Sequence, residues 1–352
     1  MTTRVTMADV AAKAGVSSTA VSLVLNNRIG TRLSQDVVTR VRAAAVDLGY
    51  RPNLTARALS TRRSQVLGFV SQFVTTGRFG SDLIRGALLE AQRHGQVLFI
   101  AETVGEPDAS REAVEALVDR QVDGIIFAAT VPEPISIPPH PSETPVVLLN
   151  AVAPGNSIAV LPDDYEGGLS IVTLLLEAGH TTDVVLIGEE LSHIENDSLA
   201  VAVRRRLSGI KAALDSHRVR PVAEVACQPW SLQTGFEAMT EVLARGIRPR
   251  ALICLNDRLA FGAYRALAAA GLRIPDDVSV VSFDDDDIAL YLDPPLTTAA
   301  FPYEEMGALA VRLLLTHNPD QKEYLIHMPI HLRGSVKLDG EMPRIFGPDS
   351  AH

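Results

Sequence analysis

The chain has 352 residues, enough for two or three domains. Charged residues are 21% and hydrophobic residues 47%, which excludes a disordered chain. The net charge is −10, yet residues 1–64 hold ten Lys/Arg and three Asp/Glu, so a +7 head precedes a −17 body, and only the head suits a polyanion.

The opening MTTRVTMADVAAKAG carries charges inside its apolar stretch and lacks the apolar core of a signal peptide, so the expectation is a cytoplasmic protein. No apolar run reaches the roughly 18 residues of a membrane span, and no membrane association is expected. Thr6-Met7-Ala8-Asp9 has capping-box spacing. Val10, Ala11 and Ala14 follow on one helix face, and Gly15 is placed to stop it. Ser17 can cap a second helix, in VSSTAVSLVLNN, whose Val21, Val24 and Leu25 make one apolar stripe. Its opposite face carries Ser18, Thr19, Ser22 and Asn26, small polar residues that can enter a major groove; a solvated polar face is the plain alternative. Ser34 can cap a third helix with apolar Val37, Val38, Val41, Ala44, Ala45 and Leu48, ended by Gly49. Two short helices across a tight glycine turn, braced by a third, predict a helix-turn-helix head over 1–50. In YRPNLTARALSTRRSQ, Pro52 breaks the chain and Asn53 can cap a short segment bearing Arg57 and Leu59. So short a helix needs a partner chain or DNA to fold; a linker is the alternative for 51–64.

From residue 66, apolar runs (VLGFV, VLFIA, DGIIFAA, PVVLLN, DVVLIG, VAEVAC, ALICLND, VSVVSFDD) alternate with helical stretches. That rhythm predicts parallel sheets covered on both faces, in two α/β lobes hinged near residue 160. Ligands in such sheets bind beyond the carboxyl ends of strands. Asn150, Asn256, Asp257, Asp284 and Asp285 follow apolar runs there and should converge on a cleft.

Two stretches resemble one family. VTMADVAAKAGVSSTAVSLVLN followed by LGYRPNLTARAL looks like the head and hinge of the lactose/galactose repressor (LacI/GalR) family, and LNDRLAFGAYRALAAAGLRIPDDVSVVSFDD with DPPLTTAAFPYEEMGALAVRLLL resembles its core. The resemblance covers residues 4 to about 338. It implies an α/β fold with a helix-turn-helix head, a hinge helix and a two-lobed periplasmic-binding-protein type I core. The first lobe would take 65–160 plus about 298–321, and the second 161–297 plus about 322–340. It also implies a regulator that binds pseudo-palindromic operator DNA as a homodimer and answers to a small effector, a sugar in the first instance and a purine or nucleoside as the alternative. Thr6, Ser17, Ser22 and Asn26 match its phosphate- or backbone-contacting positions, and Ser18 and Thr19 its base-reading ones. Arg57 would lie along the minor groove, and Leu59 would wedge into the central base step. Where the family often has Arg, this chain has Leu23, which offers apolar contact instead of a fork to guanine.

The family's effector contacts map onto Arg206 (in RLSG), Asn256 and Asp284, with Asn150 and Trp230 as further carry-overs and Phe79 where an aromatic sits under the ligand. An arginine fork, an acceptor carboxylate and an amide that donates and accepts suit adjacent hydroxyls. Trp230 could stack on a sugar face or lid a hydrophobic core. Arg204 and Arg205 read as a solvated helix face, and His180 as a helix-end cap rather than a base. A cation at Asp284–Asp287 would need about six oxygens from several segments, so one cleft carboxylate with solvated loop charge is preferred. Cys227 and Cys254 have no metal-ligand spacing and read as buried thiols. No cofactor, metal or catalytic motif is expected. A solute receptor or a sugar-acting enzyme are the competing classes, and the tail 341–352 lacks a leucine heptad for tetramers.

Overall fold

The computed structural model describes residues 5–25, 33–50, 63–72, 80–104, 106–129, 135–155, 157–316 and 321–338. Of the hinge expected over 51–64, residues 51–62 lie outside them, as does the tail. The chain falls into two units, Met1–Val66 with Gln121–Asp123, and Leu67–Arg120 with Gly124–His352.

The first unit holds three helices, α1 (Met7–Ala14), α2 (Ser18–Leu25) and α3 (Gln35–Asp47). The capping box forms: the Thr6 hydroxyl accepts the Asp9 N–H at 3.3 Å, and the Asp9 carboxylate accepts the Thr6 N–H at 2.8 Å. Such a cap contributes about 1 kcal/mol. Gly15, at φ 66°, closes α1 in the left-handed region open to glycine. Ser17 accepts the Ala20 N–H and Ser34 the Val37 N–H, which start α2 and α3. The axes of α1 and α2 meet at 103°, the angle of a helix-turn-helix pair. Val10, Val21 and Val41 are fully buried at the centre, one from each helix. Arg40 of α3 donates to the Ala14 carbonyl at 3.1 Å and so satisfies the open end of α1.

The second unit carries two sheets. In the first, β1 (Val66–Gln72), β2 (Val97–Glu102), β3 (Ile125–Ala129), β4 (Val146–Leu149), β5 (Ile158–Pro162) and β11 (Glu323–Ile326) run in the order β11-β5-β4-β3-β1-β2. In the second, β6 (Val184–Gly188), β7 (Ala223–Ala226), β8 (Ala251–Cys254), β9 (Ser279–Asp284), β10 (Thr297–Ala300) and β12 (Ile330–His331) run β12-β10-β9-β8-β6-β7. The β10–β12 pair is antiparallel, while β6–β7, β6–β8, β8–β9 and β9–β10 are parallel. Continuous apolar strands such as β3, β6 and β8 are buried along their whole length, as strands covered on both faces must be.

Around the first sheet lie α4 (Gly80–Arg93), α5 (Pro107–Asp119) and α11 (Tyr303–Leu315). Around the second lie α6 (Asp164–Glu177), α7 (Val201–Ser216), α8 (Leu232–Ala244), α9 (Asp257–Ala269) and the short α10 (Ile288–Tyr291). The chain crosses between lobes after β5, after β10 and after β11. The exchange points therefore differ from the expected 160/161, 297/298 and 321/322. Thr297–Ala300 pairs with β9 in the second lobe, and Glu323–Ile326 pairs with β5 in the first. Membership of such four-residue strands is decided by a partner far along the chain, which their own pattern does not encode.

The helix pair α6–α7 packs backbone to backbone. A Cβ on Gly209 would stand 2.0 Å from the Tyr165 carbonyl oxygen, and one on Gly168 would stand 2.5 Å from that of Arg206. The same reciprocal glycine contact recurs between α4 and α11, at Gly86 and Gly307. Gly209→Ala is therefore expected to force α6 and α7 apart at a cost of about 1–3 kcal/mol, read as a lower urea midpoint. An unchanged midpoint would contradict this packing account.

Candidate functional site

Three of the expected ligand residues meet on the second lobe. Arg206 projects from α7, one turn before Gly209, and is almost fully buried. Its Nε and Nη2 donate to Asp164 Oδ1 at 3.0 and 2.8 Å, and its Nη1 donates to the Leu255 carbonyl at 2.6 Å. Nη1 also stands 3.6 Å from Asp284 Oδ1, and the guanidinium lies 4.5 Å from the centre of the Phe283 ring. Asp164, the first residue of α6, is itself buried. Burial raises its carboxyl above the usual range while the Arg206 charge pulls it back. A buried guanidinium is tolerable only with such a partner.

Asp284 ends β9 with φ 103°, and Asp285 follows at φ 55°. Both lie in the left-handed half of backbone space, where a non-glycine residue signals strain held by its surroundings. Burial, opposed by Arg206 and aided by the charges of Asp164 and Asp286, pushes Asp284 up to about 6. Asn256 caps α9, its Oδ1 accepting the Leu259 N–H at 2.9 Å. The cap takes one lone pair of that oxygen, so the expected donor-and-acceptor amide keeps its Nδ2 and a second lone pair for a ligand.

The other expected contacts stand apart. Trp230 donates its indole N–H to the Gly188 carbonyl at 3.0 Å and packs against the second-lobe core. Of its two readings, that is the geometry of a lid over a core. Asn150 is fully buried at the end of β4 in the first lobe, and its Nδ2 donates to the Ala129 carbonyl at 3.0 Å. Its Oδ1 is buried and lacks a hydrogen bond among the described residues. Phe79 lies outside the described residues.

A cavity of about 650 Å³ opens where the lobes meet, between Ser81 and Arg85 of α4, Tyr303 and Glu304 of α11, and the Asp284–Asp287 turn. Among the described residues, Asp284 and Asp285 are the expected cleft residues on its wall. The rest of the aspartate run is solvated loop charge only in part. Asp285 accepts from Arg333 at 2.6 Å and contacts His331 Nδ1 at 2.7 Å, Asp286 is buried with Arg258 3.7 Å away, and only Asp287 is exposed. Among the described residues no His/Cys/Asp/Glu group is arranged to hold a metal ion. Nor is the basic run beside Arg206 a solvated face. Arg204 pairs with Asp197, and Arg205 reaches across to Glu323 of the first lobe at 2.8 and 3.0 Å. His180 contacts the Lys337 carbonyl and the Ser279 hydroxyl rather than capping its helix. The sequence reading missed Asp164, Thr298 and Arg333 altogether; nothing in their own neighbourhoods marks them, because their partners are 42, 41 and 48 positions away.

The head presents a second surface. Ser18 and Thr19 are exposed and Ser22 half-exposed on α2, opposite Val21 and Val24. Leu23, one turn from Thr19, is half-exposed and lies on the same outward side. Thr6 and Ser17 spend acceptor capacity on their caps, yet both stand exposed at the starts of α1 and α2, where N–H groups and the helix dipole favour anions. Asn26, Arg57 and Leu59 lie outside the described residues.

The model for bacterial regulatory proteins of the lacI family matches residues 6–53, and that for a periplasmic binding protein-like domain matches 172–336. The ribose operon repressor of Escherichia coli (strain K12) is 30% identical over 339 residues, 94% of this chain and 99% of that protein. The regulator GalS of Salmonella typhimurium is 33% identical over 313 residues, 88% of this chain and 89% of that protein. The repressor PurR of Vibrio parahaemolyticus is 31% identical over 348 residues, 94% of this chain and 98% of that protein. Among solved structures, the lac repressor dimer bound to operator and the anti-inducer ONPF superposes with a TM-score of 0.74 at 27% identity, over 96% of this chain and all (100%) of that one. A LacI family regulator from Enterococcus faecium with bound ribose has a TM-score of 0.58 at 26% identity, over 78% of this chain and 100% of that one. The chain belongs to the lacI family of bacterial regulatory proteins.

Proposed function

We propose that this protein is a transcriptional repressor that binds a pseudo-palindromic operator through its head as a homodimer, and releases or holds it according to a sugar bound between the core lobes. The observation that carries the reading is the junction of Arg206, Asn256 and Asp284 on one lobe wall beside the interlobe crossings. Asp284 accepts hydroxyls there, the Asn256 Nδ2 donates, and Arg206 offers whatever fork capacity a ligand draws from Asp164 and Leu255. Asn150, Trp230 and Phe79 complete the set by family resemblance. The names of the ribose and GalS relatives and the ribose-bound neighbour favour a sugar. The PurR relatives support a purine as the second reading.

On the head, Ser18, Thr19 and Leu23 would face base edges, while Thr6, Ser17, Ser22 and Asn26 would hold the backbone. Arg57 and Leu59 would enter the minor groove from the hinge. Dimerisation through the first lobe is supported by the edge strand β2, which exposes Val97, Phe99 and Ile100, with Leu89 of α4 also exposed. A regulator of this kind works in the cytoplasm, where its DNA is; among the described residues no single helix is long and apolar enough to cross a membrane. Nothing in the reading calls for catalysis.

A thermal-shift screen of D-ribose, D-galactose, hypoxanthine and their congeners tests the effector. A compound bound only to the native state at about 100 times its Kd adds about 2.7 kcal/mol and raises Tm. Asp284→Ala is expected to abolish that shift and leave operator binding intact. In the wild type, affinity is expected to fall as pH drops through about 6, because the raised carboxyl of Asp284 accepts hydroxyls best when ionised. Flat affinity from pH 5 to 8 would contradict that role. At the head, Leu23→Arg is expected to shift preference at one base pair per half-site towards guanine by about 1–3 kcal/mol, read from a binding-site selection. An identical selection profile would remove Leu23 from the base-reading face.

A further inference from the structure

Asp257 is fully buried at the first position of α9 and lines no cleft, yet two of its bonds reach the cleft wall. Its Oδ2 accepts the Asp286 N–H at 2.7 Å, and its Oδ1 accepts the Thr298 hydroxyl at 2.9 Å. The same hydroxyl accepts the Asp285 N–H at 3.3 Å. The two peptide N–H groups that follow Asp284 are thus both held by one buried bracket. The bracket is needed because Asp284 and Asp285 sit at φ 103° and 55°. Non-glycine residues held in such regions are strained and persist only where the surroundings over-determine them. Asp284 itself is held at its carbonyl, which accepts the Phe301 N–H at 3.3 Å, but its carboxylate meets Arg206 only at 3.6 Å. Asp257 also adjoins Asn256, so the bracket joins a cleft donor and a cleft acceptor into one rigid piece.

We propose that Asp257 is a positioning residue for effector binding: it never meets the ligand, but through Asp286 and Thr298 it fixes the strained turn that aims the Asp284 carboxylate into the cleft. The proposal rests on the effector-cleft reading above.

The titratable and charged groups around Asp257 are Asp284 and Asp286 on the turn, Cys254 of β8, and Tyr264 and Arg258 on its own helix. Burial, and then the charge of Asp284, pushes Asp257 up to about 8, so at neutral pH it carries a proton. With that proton on Oδ1, Asp257 donates to the Thr298 hydroxyl instead of accepting from it, and asparagine is its close mimic: the amide oxygen takes the Asp286 N–H, and the amide nitrogen donates to Thr298. Alanine loses both bonds.

Hydrogen exchange of the full chain at pH 7 decides the matter without a ligand. Asp257→Ala is expected to speed exchange of amides 285–288 by about 10-fold, the equivalent of one lost hydrogen bond, while Asp257→Asn stays near wild type. Thr298→Val opens the other half of the bracket without touching α9, so it gives the same increase should the alanine variant not fold. In a calorimetric titration with D-ribose, D-galactose and hypoxanthine, whichever binds the wild type most tightly is expected to bind Asp257→Ala about 10-fold more weakly and Asp257→Asn within about 3-fold. Wild-type exchange in both bracket variants, or an asparagine variant as impaired as the alanine one, overturns the proposal. If none of the three compounds binds the wild type, the choice of effector fails instead, and the exchange result alone decides the role of Asp257.

Discussion

The core is organised around one buried charge. Arg206 cannot be solvated where it sits, so it is met by Asp164, by the Leu255 carbonyl and by Phe283. Those partners come from three places: the start of α6, where the chain has just crossed from the first lobe, the end of β8, and the end of β9. A buried ion pair of this kind adds little net stability over a well-packed apolar substitute, but breaking it by removing one partner costs about 3–5 kcal/mol. Its value lies in fixing where the elements stand. The backbone contact at Gly168 and Gly209 serves the same end, since it sets how far Arg206 can reach from α7.

On the proposed function, that arrangement places the ligand chemistry beside the interlobe crossings. Asp164 opens the crossing after β5, and Thr298 precedes the crossing after β10. Asp284 lies between the networks built on these two residues, 3.6 Å from Arg206 and held through the bracket of Asp257. On the proposed function, a hydroxyl that takes hydrogen bonds from Arg206 or gives them to Asp284 changes the balance at both crossings. The Arg205–Glu323 pair then acts as a clasp between lobes on the outer side. A ligand shifts such a two-state balance only by its difference in affinity for the two lobe arrangements. The head needs no part in that chemistry, because its own fold is complete in three capped helices with one valine from each at the centre.

Much of this was legible from residue patterns, for physical reasons. Caps are local, so Thr6, Ser17 and Ser34 are read directly, and each hydroxyl accepts an N–H three residues on. Strands buried on both faces must be continuously apolar, which is why VVLIG and ALIC stand out. Polar residues that follow such runs stand at the carboxyl ends of the strands, and Asn256 and Asp284 lie there. Pairing across the fold was not legible. Asn256 reads equally as a helix cap and as a cleft residue, and its own neighbourhood does not separate the two. Asp286 reads as loop charge because Arg258 approaches it only in the folded chain, and the Arg333 partner of Asp285 lies 48 positions away. The expected boundaries put 298–300 and 323–326 in the lobe opposite the one where they pair, because four-residue strands carry too little pattern to name a partner sheet.

On the proposed function, the Arg206 network couples the cleft to the operator. Operator affinity measured with and without saturating effector, in the wild type and in Asp164→Asn, reads that coupling, because the substitution keeps the shape of the residue and an oxygen for both Arg206 bonds but removes the charge that holds the guanidinium. The account predicts that the variant binds operator within about 3-fold of wild type while the effector-induced change, ordinarily about 5- to 150-fold, collapses towards unity. An unchanged effector response in Asp164→Asn would contradict it.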